Sequence, residues 1–228
     1  MRHLLSIFLL LASPLHAQEV DVELVLMADA SGSIDSAEIV FQRQGYAEAI
    51  TDPSVLSAIR GNLTGSIAVT YVEWAADQAV VVDWTIIDSP ETAAGFAAAL
   101  LGPPRLASGR NAIGAALLEG QRLIEGNQFT GLRRVIDFSG DSVGNFSGPS
   151  IADARAAVIA AGITINGLPI VCESCDDGLA DIYTEQIIGG PGAFVLSARG
   201  RANFADAVRR KLVLEIAGIT PRIAAAAP

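Results

Sequence analysis

A chain of 228 residues that is 51% hydrophobic and 18% charged holds enough apolar material for one well-buried domain, which excludes disorder and repeat arrays. Met1-Arg2-His3, the apolar run 4–12 and the small Ala17 have the pattern of a signal peptide over residues 1–17, too short for the roughly 20 apolar residues of a membrane span. Its removal takes away both histidines, His3 and His16, and one positive charge from a formal net charge of −10. The remaining 18–228 then reads as one acidic domain without an imidazole for catalytic triads or His-ligated zinc, and a poor partner for nucleic acid or anionic lipid.

Residues 20–27 alternate and then run continuously apolar, as a strand covered on both faces does. Ala30-Ser31-Gly32-Ser33 is turn-rich, and Asp35 with Glu38 three residues on predicts a capped helix over 36–51. Residues 66–74 and 78–87 read as an antiparallel hairpin. Helices follow over 90–101 and 111–125, and a strand over 134–139 feeds a polar loop at 140–145. A helix opened by Pro149 and closed by Gly162 leads to a buried strand over 163–171. The chain ends with a helix over 181–188, a glycine-rich turn at 189–192, a strand over 193–196 and a helix over 203–216. Such alternation predicts a doubly wound, mostly parallel sheet with one antiparallel edge strand and helices on both faces.

In open α/β sheets ligands bind beyond the carboxyl ends of the strands. Three loops there are rich in oxygen: Asp29-Ala30-Ser31-Gly32-Ser33, Ser108-Gly109-Arg110-Asn111 and Gly140-Asp141-Ser142. Carboxylates with hydroxyls suit a hard divalent cation such as Mg²⁺, with Mn²⁺ or Ca²⁺ as alternatives, and two aspartates neutralise it formally. An open coordination position then accepts a carboxylate from a partner.

Asp29-x-Ser31-x-Ser33 after an apolar first strand resembles the metal-ion-dependent adhesion site (MIDAS) of von Willebrand factor type A (vWA) domains, and the match runs along nearly the whole of 18–228. The resemblance implies that metal is held by Asp29, Ser31 and Ser33, by Asp141 after the fourth strand, and by a Thr at the start of a later helix. That position, read from Gly114-Ala115-Ala116-Leu117, is Asn111 here. Residues 165–170, 188–194 and 209–212 also resemble an uncharacterised group of exported bacterial proteins of this type.

Gly140-Asp141-Ser142-Val143-Gly144 fits a nucleophile elbow but lacks a His base. Gly189-Gly190-Pro191-Gly192 lacks the Lys and following helix of a phosphate loop. Cys172-Glu173-Ser174-Cys175 has redox-motif spacing, yet Glu173, Asp176 and Asp177 oppose thiolate formation, so a structural disulfide between Cys172 and Cys175 is expected. The reading is therefore a non-enzymatic, exported protein-binding module, periplasmic or secreted, that engages an acidic group on a partner protein. Its alternatives are a metal-free scaffold of the same fold and a Cys-x-x-Cys oxidoreductase.

Overall fold

The computed structural model describes residues 17–171, 178–200 and 203–221; Cys172, Cys175 and residues 1–16 of the expected leader lie outside them. Six strands form one sheet in the order β3-β2-β1-β4-β5-β6. They are β1 (Gln18–Asp29), β2 (Ile67–Trp74), β3 (Gln78–Ile87), β4 (Phe129–Gly140), β5 (Thr164–Val171) and β6 (Ala198–Arg199). Only β2 and β3 pair antiparallel, and the other neighbours are parallel. The expected hairpin and doubly wound sheet are therefore both present.

β1 is buried from Val20 to Asp29, with Leu24 and Leu26 in one core and Val25 and Met27 in the other, which accounts for its uninterrupted apolar run. The first core packs against α1 (Ser36–Thr51), α2 (Pro53–Arg60), α3 (Pro90–Leu101) and α7 (Phe204–Ala217) through Tyr46, Ile59, Phe96 and Leu212. The second packs against α4 (Ile113–Glu125) and α5 (Ile151–Ala160) through Leu117 and Val158. Asp35 and Glu38 form the expected capping box on α1.

Three local expectations change. α2 was not foreseen, although Asp52 caps it and Pro53 occupies its first turn. Instead of one α-helix over 181–188, a short α6 (Leu179–Ile182) passes into a π-helical turn, Tyr183–Ile187, closed by Ile188 N donating to Tyr183 O at 3.0 Å. Instead of a strand over 193–196, Val195 forms one bridge to Gly167 and the sixth strand is the two-residue β6. Among the described residues no helix is long and apolar enough to cross a membrane.

Candidate metal centre

β1 and β4 run side by side and parallel, so their carboxyl ends deliver Asp29 and Asp141 to the same edge of the sheet. Asp29 is fully buried. Its Oδ1 accepts from Ser31 N at 2.8 Å and its Oδ2 from Asp141 N at 3.4 Å, while Gln42 Nε2 holds its carbonyl at 3.0 Å. The hydroxyls of Ser31 and Ser33 are 3.1 Å apart, and Ser33 Oγ donates to Asp141 Oδ1 at 3.0 Å. Asp29, Ser31, Ser33 and Asp141 thus form one continuous polar ring. Its floor, Asp29 and Ser31, is buried; its mouth, Ser33 and the half-buried Asp141, opens to solvent.

Asn111, from the loop over 108–111, lies next to the ring, with Nδ2 donating to Ser142 Oγ at 2.6 Å. A cap for the following helix was the plain role for such a residue. α4 instead begins at Ile113 without a side-chain bond from its N-cap Ala112, and Asn145 Oδ1 accepts from Gly114 N at 3.2 Å. Asn111 is thereby spared capping duty and turned toward Asp141's neighbour. Of the five expected metal-site residues, Asp29, Ser31, Ser33 and Asp141 come together directly and Asn111 bonds Ser142, the neighbour of Asp141, while Cys172 and Cys175 fall outside the described residues.

The first loop is fixed by a residue that its own sequence does not reveal. Arg105 Nη1 donates to Ile34 O and Nη2 to Ser31 O, at 2.9 and 2.8 Å, and Nη2 also donates to Ala30 O. Its backbone is anchored in turn: Glu73 Oε2 accepts from Leu106 N at 2.7 Å, and the other oxygen of Glu73 pairs with buried Arg43 Nη2 at 2.7 Å. Gly32 N donates to Gly109 O at 2.9 Å and brings the second loop against the first.

Burial raises the Asp29 carboxyl to about 7; the Ser31 amide and hydroxyl oppose the shift, and the charge of Asp141 adds to it. Among the described residues neither aspartate forms an ion pair with a protein cation. Two facing carboxylates, two hydroxyls and an amide are oxygen donors of the type a hard divalent ion takes. No three His, Cys, Asp or Glu side chains gather among the described residues, because all but two of these donors are neutral. Beside Asp141 opens a cleft of about 340 Å³ walled by Ile34, Phe41, Ile170 and Phe204.

The family model described as "Protein of unknown function (DUF1194)" matches residues 19–220. The chain belongs to that family. Solved structures place the DUF1194 chain in the vWA fold. It is similar to a von Willebrand factor type A protein from Catenulispora acidiphila, with 18% identity over 87% of this chain and 43% of that one, at a TM-score of 0.62. It also resembles the vWF domain of the type V pili tip protein Mfa5 from Porphyromonas gingivalis, with 11% identity over 89% and 97% of the two chains and a TM-score of 0.58. A third likeness is to proximal thread matrix protein 1 of the mussel byssus, solved with a zinc-occupied MIDAS motif. That match has 16% identity over 88% and 48% of the chains and a TM-score of 0.57. The DUF1194 chain thus spans less than half the length of the Catenulispora and mussel chains. No functionally curated protein matches it.

Proposed function

We propose that this chain is an exported, non-enzymatic protein-binding module. In this reading Asp29, Ser31, Ser33, Asn111 and Asp141 hold a divalent cation, Mg²⁺ or alternatively Mn²⁺ or Ca²⁺, that receives a carboxylate from an acidic side chain of a partner protein. The observation that carries the reading is the polar ring at the ends of β1 and β4, in which two aspartates face one another through two serine hydroxyls without a protein cation among the described residues. In this reading Asn111, whose Nδ2 is held by Ser142 Oγ, would supply an amide oxygen where the resembled family uses a hydroxyl. The open mouth leaves a coordination position accessible, and the apolar cleft beside Asp141 gives the incoming residue a neighbouring surface. The zinc-occupied MIDAS of the mussel protein supports a divalent ion in this fold. Export is supported by the leader pattern of residues 1–17.

The test is calorimetric titration of Mg²⁺, Mn²⁺, Ca²⁺ and Zn²⁺ into chelator-treated protein, with Asp29→Ala and Asp141→Ala alongside. Saturable binding to the wild type that both variants lose is expected. Metal in about hundredfold excess over Kd should also raise unfolding stability by ~2.7 kcal/mol. Folded wild-type protein that binds none of the ions up to millimolar concentration overturns the metal reading and leaves the metal-free scaffold.

A further inference from the structure

The π-helical turn carries a group that the ring described above does not use. Tyr183 opens that turn and is fully buried, its ring centroid 6.2 Å from that of Phe138 and its edge against the backbone of Gly167. Its hydroxyl finds no hydrogen-bond partner among the described residues. A phenylalanine would fill the same space, so packing explains the ring and not the oxygen. A buried hydroxyl left unpaired costs about 1–3 kcal/mol, which is why such groups nearly always have a partner.

The direction of that hydroxyl is given by Gly140. A Cβ placed on this glycine would lie 2.9 Å from Tyr183 Oη and 2.9 Å from Asp29 Oδ2. Both oxygens therefore border the same space over the glycine, separated by at most twice that distance. The side-chain donors of Gln42, Trp74, Ser139 and Tyr46 in this corner are already committed, Gln42 Nε2 to Asp29 O. Trp74 Nε1 donates to Ser139 O at 3.0 Å, and Ser139 Oγ donates to Met27 O and accepts from Tyr46, both at 3.3 Å. The phenol is a donor that remains, and it lies beside the buried carboxylate of the ring.

We infer that Tyr183 is a positioning residue of the metal centre: its hydroxyl donates to the water that completes the cation's shell on the Asp29 Oδ2 side. This rests on the metal-binding reading. Bound in this way, the water satisfies the phenol and fixes which Asp29 oxygen faces the ion. Partners of this kind, one step removed from the metal, typically carry a 10–100-fold share of affinity.

Mg²⁺ titration of the wild type, Tyr183→Phe and Asp29→Ala tests this, together with carbon NMR of protein labelled at the tyrosine ring carbon that bears the hydroxyl. The chain has three tyrosines, and the Tyr183 signal is the one missing from Tyr183→Phe. The expected result is that Tyr183→Phe, folded in chelator, still binds one ion but about 10–100-fold more weakly. In the wild type the Tyr183 signal should move on metal addition while those of Tyr46 and Tyr71 stay. Equal affinity in Tyr183→Phe with a stationary Tyr183 signal overturns the inference while metal binding stands. Weakened affinity with a stationary signal also overturns it, because that pattern marks lost packing. A folded wild type that binds no metal removes the inference together with the reading beneath it. If Tyr183→Phe fails to fold, the Tyr183 signal is assigned as the one that both Tyr46→Phe and Tyr71→Phe retain, and the wild-type titration decides.

Discussion

Gly140 is the residue on which the candidate centre closes. A Cβ there would come within 2.9 Å of Asp29 Oδ2, Trp74 Cζ2 and Tyr183 Oη at once, three atoms belonging to three different segments. None can retreat cheaply, since Asp29 and Tyr183 are buried and Trp74 is stacked on Phe138 with centroids 4.8 Å apart. Gly140→Ala should therefore cost ~1–3 kcal/mol in urea unfolding and weaken metal binding in the same preparation. Gly95, inside α3 with nothing near its missing Cβ, is the control: Gly95→Ala should gain ~0.5–1 kcal/mol from helix propensity alone. Equal effects at the two positions would mean that the close approach at Gly140 has no energetic weight. At this scale the sequence was readable where chemistry is local. Asp29, Ser31 and Ser33 declare themselves by spacing, and Asp141 by following a strand. Tyr183 and Arg105 do not, because each reaches the first loop from a distant segment whose own pattern is that of an ordinary helix or coil.

The loop over residues 30–34 is an element without regular hydrogen bonding, and its shape is imposed largely from outside. Arg105 donates to the carbonyls of Ala30, Ser31 and Ile34, and its Nε also donates to Ala107 O at 2.9 Å. Arg105→Ala would leave buried carbonyls unpaired, a loss of ~2–3 kcal/mol. Amide exchange at Gly32 and Ile34, whose N–H groups bond Gly109 O and Ser31 O, should speed up by about tenfold or more, with a parallel loss of metal affinity. Arg105→Lys should rescue little, since one ammonium cannot span carbonyls that a planar guanidinium reaches together. Unchanged exchange in Arg105→Ala would show that the loop holds itself. Elements with strong internal signals, such as α1 with its capping box and β1 with its apolar run, were legible in advance. α2, β6 and the π-helical turn were not. α2 has only 8 residues and follows α1 at once, β6 has two residues, and a π turn differs from an α turn by one residue whose place is set by packing.

Across the whole molecule the vWA architecture follows from alternation of buried strands and helices, which sequence periodicity carries well. What joins the sheet to α7 is different in kind and had no sequence signature. Lys211, fully buried, places Nζ 2.7 Å from Asp137 Oδ1 on β4 and 2.5 Å from Glu215 Oε1 one helical turn further along α7. Asn166 Nδ2 on β5 donates to the same Glu215 oxygen at 2.8 Å. One cation thus serves two buried carboxylates. Burial first, and the charge of Asp137 second, raise the Glu215 carboxyl from 4.5 to about 7, against the opposing pull of Lys211. Between those two values the folded protein binds more protons at Glu215 than the unfolded chain does, so this group's contribution to stability falls as pH rises from 4.5 to about 7 and is constant above. Glu215→Gln keeps an acceptor for Asn166 and cannot ionise. Urea unfolding of chelator-treated wild type and Glu215→Gln from about pH 5 to about pH 8 should show the wild type losing stability relative to the variant through this window, then running parallel to it. Asp29 shifts in the same direction, and taking the difference between the two proteins removes its contribution. A difference that stays level across the window would mean that Lys211 keeps Glu215 ionised throughout, and that the two carboxylates of this network share their cation without competing for it.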